Sequence, residues 1–171
     1  MIETEDLILR KGVFDDWKSM YENVWSHPET ARYMLWDVTT SEEDARARME
    51  RTLRWQAEHD AYFVEEKSTG RCIGFAGFIE VATGVYEDTG VALGPEFVGR
   101  GYGKQVLNAL LTIAFAQRGG QTFIGSARSE NTASIALQRS CGFVYPHSEP
   151  RPDPRTGEYY TLNFYEKRRE L

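Results

Sequence analysis

Val98-Gly99-Arg100-Gly101-Tyr102-Gly103-Lys104 sets three glycines in alternation with larger residues and closes on a cation. Glycine lets the backbone approach a ligand closely and turn its amides toward it, and the first turn of a helix leaves its own amides unpaired. With the positive end of the helix dipole behind them, such amides make a site for a phosphate or pyrophosphate. Arg100 and Lys104 add positive charge there. G-x-G-x-G is a short motif, and a flexible turn before a core helix satisfies it equally well. Two other phosphate loops fail on their own terms. A nucleotidase loop ends in Gly-Lys-Ser/Thr, and Gly103-Lys104-Gln105 lacks the hydroxyl that would hold magnesium. A dinucleotide fold puts its glycines after the first strand and an acid at the end of the next. Here the loop lies past the midpoint of the chain, and the next strand ends in Gly125-Ser126-Ala127.

The loop sits in a unit that can position it. Asp88–Leu93 reads as a strand with Val91 and Leu93 on one face, and Gly94-Pro95 breaks it. A helix is predicted from Lys104 to about Gln117, with Val106, Leu107, Leu110, Leu111, Ala114 and Phe115 at three- and four-residue spacing. Gly119-Gly120 ends it, and Gln121–Ala127 reads as a second strand. Strand, loop, helix and strand in this order imply a parallel pair with a right-handed crossover.

The 171 residues suit one domain, 1–171, with a sizeable core. With 41% hydrophobic and 27% charged residues the composition is that of a globular protein. A formal net charge of −6 argues against a nucleic-acid partner and permits a cationic one. No apolar run reaches membrane-span length and the acidic start is unlike a signal peptide, so no membrane role is expected. Cys72 and Cys141 read as reduced core thiols, which points to the cytoplasm. His27, His59 and His147 have no metal-ligand spacing, and no metal is expected.

Elsewhere, Leu7–Leu9 reads as a short strand, Val13–Val24 as a helix and Pro28–Met34 as a second short helix opened by proline. Thr40-Ser41-Glu42-Glu43-Asp44 reads as the capped start of a helix running to about His59. Strands follow at Tyr62–Glu66, Cys72–Val81 and Glu87–Leu93, joined at Ser68-Thr69-Gly70 and Thr83-Gly84. Gly74 and Gly77 mark a bulge or close packing in the long middle strand. Asn131–Ser140 reads as a helix and Phe143–Tyr145 as the start of a strand. Four of the six prolines lie between Pro146 and Pro154, so an exposed loop is expected there, before a last strand over Glu158–Glu166.

Val98–Gly103 with Lys104-Gln105-Val106-Leu107 resembles the acyl-CoA pyrophosphate loop of the GCN5-related N-acetyltransferase superfamily, written Arg/Gln-x-x-Gly-x-Gly/Ala. Asn131-Thr132-Ala133-Ser134-Ile135-Ala136-Leu137, ending in Cys141-Gly142-Phe143, resembles a second block of that family. The opening Thr4-Glu5-Asp6-Leu7-Ile8-Leu9-Arg10 is similar to the start of its ribosomal-protein-alanine N-acetyltransferase branch. The three blocks occur in order and cover nearly the whole chain. The resemblance implies a mixed α/β (α+β) domain with a central sheet of about six or seven strands flanked by helices. That sheet would be mostly antiparallel, with a splayed parallel pair at the cofactor site.

What the resemblance implies for single residues can be carried over position by position. The backbone of Val91, Ala92 and Leu93 would pair with the pantetheine arm of acetyl-CoA. The amides of Gly99, Arg100, Gly101, Tyr102, Gly103 and Lys104 would hold its pyrophosphate. Val98 departs from the family's Arg/Gln at little consequence, because backbone amides do the binding. Asn131 matches the asparagine that contacts the cofactor or its water, and is equally an ordinary helix N-cap. Ser134 matches a position near the pantetheine end, and equally suits close helix packing.

Transfer to an amine requires removal of a proton, polarisation of the thioester carbonyl and stabilisation of the departing thiolate. Asp88 is the first candidate base, directly or through water, with Glu87 beside it. Adjacent strand residues face opposite ways, so at most one of the two enters the site. A backbone amide near Val91 or Ala92 would polarise the carbonyl. Many family members place a tyrosine acid directly after the leucine that is here Leu137. This chain has Gln138, so that acid is excluded, and Tyr145, Ser134 and bulk water stay open as substitutes. Trp25, Tyr33 and Trp36, with His27 and Trp55, fall where such enzymes bound the acceptor, and their rings suit a cation or an aromatic amine. The expected activity is acetyl-CoA-dependent N-acetylation of a primary amine, on a protein N-terminus or a small molecule, by direct transfer in a ternary complex. The alternatives are a non-catalytic acyl-CoA sensor or scaffold, and a nucleotide-binding regulator. The apolar face of the last strand leaves a homodimer open.

Overall fold

The computed structural model describes residues 1–170. Eight strands form one sheet: β1 (Ile2–Glu3), β2 (Leu7–Arg10), β3 (Asp60–Glu66), β4 (Arg71–Ala82), β5 (Val85–Leu93), β6 (Thr122–Arg128), β7 (Val144–Pro152) and β8 (Tyr159–Arg168). Their order across the sheet is β1-β2-β3-β4-β5-β6-β8-β7, antiparallel throughout except for the parallel pair β5–β6. This is the mixed sheet with one parallel pair that the family resemblance implies, with one more edge strand, β1, than the sequence predicts.

Strand alternation divides the core between the two faces. Tyr62, Val64 and Ile73 point to one side with Leu7, Leu9, Phe78, Tyr86 and Phe123, while Phe63 and Cys72 point to the other. Against the first face lies α4 (Tyr102–Thr112), extended by a π turn over Ile113–Gln117, which buries Val106, Leu107, Leu110 and Leu111. Beside it is α5 (Thr132–Ser140). Against the second face lies a helical run: a 3-10 turn Phe14–Asp16, then α1 (Trp17–Met20), then a π turn Tyr21–Trp25. α2 (Pro28–Ala31) follows, shorter than the predicted Pro28–Met34, and α3 (Glu42–Glu58) completes the layer. Met20, Trp25, Met49 and Phe63 are buried together there, each such side chain contributing roughly 1.5–3 kcal/mol by leaving water.

The ends of α3 are fixed by local chemistry. Ser41 Oγ accepts from the Asp44 amide at 3.1 Å, and Glu42, Glu43 and Asp44 lie against the positive end of the dipole. At the other end Lys11 Nζ donates to the carbonyls of Gln56 and His59, at 2.6 and 2.5 Å. The helix therefore presents Ala45, Met49 and Gln56 to the core in a fixed register. Arg48, one residue before Met49, lies at the edge of that face.

One expectation fails. Pro146–Pro154 is not a loop along its length: β7 pairs with β8 from Val144 to Pro152, with a register break between Val144 and His147. The strand lies at the edge of the sheet, where residues lacking an N–H are tolerated. β1, only two residues long, carries no periodic signal in the sequence. Both cysteines are free and buried, and no described helix is long and apolar enough to cross a membrane.

Ser41→Ala should lower the unfolding free energy by about 1 kcal/mol, the usual cost of losing such a cap. Chemical denaturation checks this, and the midpoint should move without a change in slope.

Candidate functional site

β5 and β6 pair over only three residues: Val85 with Thr122, Tyr86 with Phe123, Glu87 with Ile124. Beyond that point they part, while β5 stays paired to β4 on its other side as far as Leu93 with Gly74. One edge of β5 is therefore open to an extended ligand from Asp88 onward. The parting is built rather than frayed. Asp88 Oδ2 accepts from the Ser126 amide at 2.8 Å, and Oδ1 accepts from the Gly90 amide at 3.2 Å. The carboxylate thus takes the place of a strand-to-strand hydrogen bond at the apex of the gap. Removal from water drives its pKa up from the ordinary 3.8 to about 7, with the neighbouring Glu87 charge adding and the two amide donors opposing. Glu87 is also raised by burial, with Arg151 opposing and Glu149 adding.

Gly125 makes this arrangement possible. A Cβ there would collide with Gln138 Oε1 and lie 3.3 Å from Asp88 Oδ2. Gln138, 4% exposed, donates from Nε2 to the Ser126 carbonyl at 3.3 Å and to Ser134 Oγ at 3.4 Å. Its Oε1 has no hydrogen-bond partner among the described residues. A buried amide oxygen left unbonded costs free energy, and this one lies beside the apex of the gap.

The glycine loop closes the other end of the gap. Gly99 and Gly101 adopt φ +76° and +80°, and a side chain added at either would meet nothing within 4 Å. Glycine is needed there for conformation, and the space around it is open. Gly101 is the N-cap of α4 and no side chain caps the helix, so its first-turn amides lack a side-chain acceptor. Gly103 serves differently: a Cβ would lie 3.2 Å from Leu137 Cδ2, so it lets α4 and α5 approach. The loop is anchored from behind by Glu66, buried, which accepts from Tyr102 Oη at 2.9 Å and pairs with Arg100 at 3.5 Å. Arg100 is thereby partly neutralised, and exposed Lys104 carries the freer charge.

On the opposite face, the segment 33–36 lies over β5. Met34 Sδ would lie 3.9 Å from a Cβ at Gly90, and Tyr33 Oη donates to the Glu130 carbonyl at 3.4 Å. Arg155, held by Asp153, donates to the Trp36 carbonyl at 3.3 Å. Beneath lies a cavity of about 230 Å³ bounded by Trp25, Trp36, Phe75 and Arg48, reaching Gly77 and Thr89. It shares Trp36, Arg48, Thr52 and Trp55 with a groove of about 550 Å³ along α3.

The structure brings together Asp88, Ser134, Gly99–Lys104 and the free edge at Val91–Leu93, and puts Trp25 and Trp36 on the cavity reaching Thr89. Asn131 caps α5, its Oδ1 accepting from the Ser134 amide at 3.1 Å. Tyr145 does not join this group. It lies on β7, three strands from β5 and roughly 14 Å away at the usual strand spacing, with its ring against Tyr165 at 5.6 Å. The ring faces of Trp25 and Trp36, read from sequence as places for a ligand cation, are already taken by Arg48, at 4.7 and 4.2 Å. Arg48 and the orphaned oxygen of Gln138 escaped sequence reading, since each is defined by distant elements, and Gln138 stood out only as a residue replacing a tyrosine.

The acetyltransferase (GNAT) domain family matches residues 6–144. The chain is similar to N-alpha-acetyltransferase RimI of Mycobacterium tuberculosis, 34% identical over 85 residues, 48% of this chain and 51% of that one. The match spans about half the length of that relative. Among solved structures, an acetyltransferase of the GNAT family from Bacillus anthracis superposes with a TM-score of 0.85 at 23% identity, covering 98% of this chain and 97% of the other. yncA from Salmonella typhimurium, solved with acetyl-CoA, superposes at 0.70 with 23% identity over 98% and 96% of the two chains. The chain belongs to the GNAT acetyltransferase family.

Because the folded-state pKa of Asp88 lies above its ordinary value, the native state binds the proton more tightly than the unfolded chain does. Its contribution to stability is present in acid and is lost as pH rises from about 4 through 7. Asp88→Asn should remove that decline, making the variant the more stable protein at pH 8 relative to its behaviour at pH 5. Denaturation curves across this range check it, and an unchanged slope would contradict the raised pKa.

Proposed function

We propose that this protein is an acetyl-CoA-dependent N-acetyltransferase, acting on a primary amine by direct transfer within a ternary complex. The observation that carries the reading is the parted β5–β6 pair with open amides at one end and a carboxylate of raised pKa at its apex. The likeness to yncA, solved with acetyl-CoA, and to the N-alpha-acetyltransferase RimI supports the cofactor and the amine. The whole chain, 1–171, would act as one unit, and its free buried cysteines suit the cytoplasm.

The open edge at Val91–Leu93 fits the pantetheine amides, and the unpaired amides of Gly99–Lys104 fit the pyrophosphate. Asp88 is then the base. As carboxylate it takes one proton from the ammonium of the acceptor, directly or through water, and later releases it to solvent. The neutral nitrogen forms the bond to the acyl carbon, and the carbon–sulfur bond breaks with its electron pair on sulfur. The remaining proton lost by nitrogen ends on the thiolate, through Ser134 or water, since no tyrosine occupies position 138. An amide of the free β5 edge near Val91 or Ala92 polarises the carbonyl.

One observation favours a second reading, a non-catalytic acyl-CoA sensor: Gln138 stands where family members carry the acid. Turnover separates the two. Acetyl-CoA and CoA, but not ATP or NAD, should raise the thermal midpoint, by about 2.7 kcal/mol of stabilisation at a hundredfold excess over the dissociation constant. A Gly101→Val variant, strained at positive φ, should lose that shift. With a competent amine, kcat/KM should rise with pH and level off above about 7, as Asp88 ionises. Asp88→Asn should cost roughly 10²–10⁴ in rate with the CoA shift retained. A nucleotide-specific shift, or turnover indifferent to Asp88→Asn, would overturn the proposal.

A further inference from the structure

The inner acceptor cavity has a single charged group among its described lining residues, Arg48. α3 delivers it from beside Met49, and its guanidinium lies between the rings of Trp25 and Trp36. One hydrogen bond leaves it within the chain, from Nη1 to Thr39 Oγ1 at 3.1 Å. No carboxylate pairs with it among the described residues. Burial and the nearby Arg51 hold its pKa down to about 10, so it remains a cation at neutral pH with no counter-charge. The outer groove is different, since Asp37, Asp44 and Arg51 line it along with Arg48, although neither carboxylate forms an ion pair with Arg48 and Asp44 is already bonded to Ser41 Oγ at 2.8 Å.

A guanidinium has five N–H donors in a rigid fork suited to a two-oxygen anion, and stacking on rings fixes its plane without consuming those donors. Two flanking tryptophans therefore hold Arg48 in place while leaving it donors to spare. A second cation brought into the cavity would meet like charge and ring faces already taken. The cavity ends at Thr89, the residue after Asp88. Thr89 and Asp88 face opposite sides of β5, so an acceptor filling this cavity would pass its amine to Asp88 through the parted β5–β6 gap and keep its adjoining part against Arg48. At about 230 Å³ the space is below the ~300–1,000 Å³ of pockets for drug-sized ligands and suits one residue-sized unit.

We infer that Arg48 determines acceptor specificity, and that the acceptor is an amine whose cavity-filling unit bears a carboxylate. This rests on the transferase reading above. The carboxylate has two sources, the α-carboxylate of a free amino acid or an acidic first side chain on a peptide. Polyamines are excluded as preferred acceptors.

The test is steady-state acetylation, followed by released thiol, with acceptors matched except for charge. L-Phenylalanine is compared with L-phenylalaninamide and phenethylamine, an amidated peptide beginning with Asp with its Asn counterpart, and spermidine is included. Wild type, Arg48→Gln and Arg48→Lys are used, each first checked for stabilisation by CoA. The carboxylate member of one pair should be favoured about tenfold or more in kcat/KM, the scale of a charged hydrogen bond. Arg48→Gln should bring the pair to parity, and Arg48→Lys should restore part of the preference as a point charge without the fork. Which pair responds identifies the source. Preference for a neutral member or spermidine, or a ratio untouched by Arg48→Gln, would overturn the inference. If CoA binds and no amine is acetylated, the transferase reading fails. Calorimetry of L-phenylalanine and the Asp peptide on the CoA complex then decides the cavity: binding lost in Arg48→Gln supports the carboxylate site, and equal or absent binding overturns it.

Discussion

Everything in the site depends on two parallel strands parting after three pairs, with one carboxylate holding the gap at its apex. Separated strands leave main-chain donors and acceptors without partners, and buried ones are costly. Asp88 meets that cost at the apex by accepting from Ser126 and Gly90. Further out the edge of β5 is left open, and the same lack of partners leaves an edge with which an extended ligand can pair. A side chain that repairs the sheet is thereby desolvated, and desolvation is what moves its proton affinity toward neutrality. Structural role and chemical role have one cause.

The layers on either side divide the labour. α4 and α5 press on one face of the sheet and bring the open amides and Gln138 to the gap, their approach set by Gly103 against Leu137. The helices on the other face carry the cavity proposed for the acceptor, where Trp25 is core, Trp36 is wall and Arg48 is the charge between them. The ion pair of Asp153 with Arg155, far along the chain, closes on Trp36 and ties the β7–β8 turn to this wall.

Features set by local physics were legible in the sequence. The glycine loop, the capped start of α3 and the turns at Gly70 and Gly84 announce themselves because a positive φ or an N-cap restricts the residue that serves. The parallel pair followed from chain order alone. Asp88 was picked by its place at the head of the strand expected to pair with the cofactor, although nothing in its neighbours along the chain indicates a raised pKa. What failed depends on where a segment lies in the sheet. Pro150 and Pro152 read as loop, but an edge strand tolerates them. Tyr145 looked available until β8 was found between its strand and β6. The tryptophan faces looked free because their occupant comes from a helix at least twelve residues further on.

The central claim is that a CoA arm lies along the free edge of β5 and ends on the first turn of α4. Amide-resolved NMR titration with CoA tests it directly. Perturbation and slowed hydrogen exchange concentrated at Val91–Leu93 and Gly99–Lys104, with the Ser126 amide at the apex also shifted, is the predicted result. Changes confined to other parts of the sheet, or none at saturating CoA, would contradict the account.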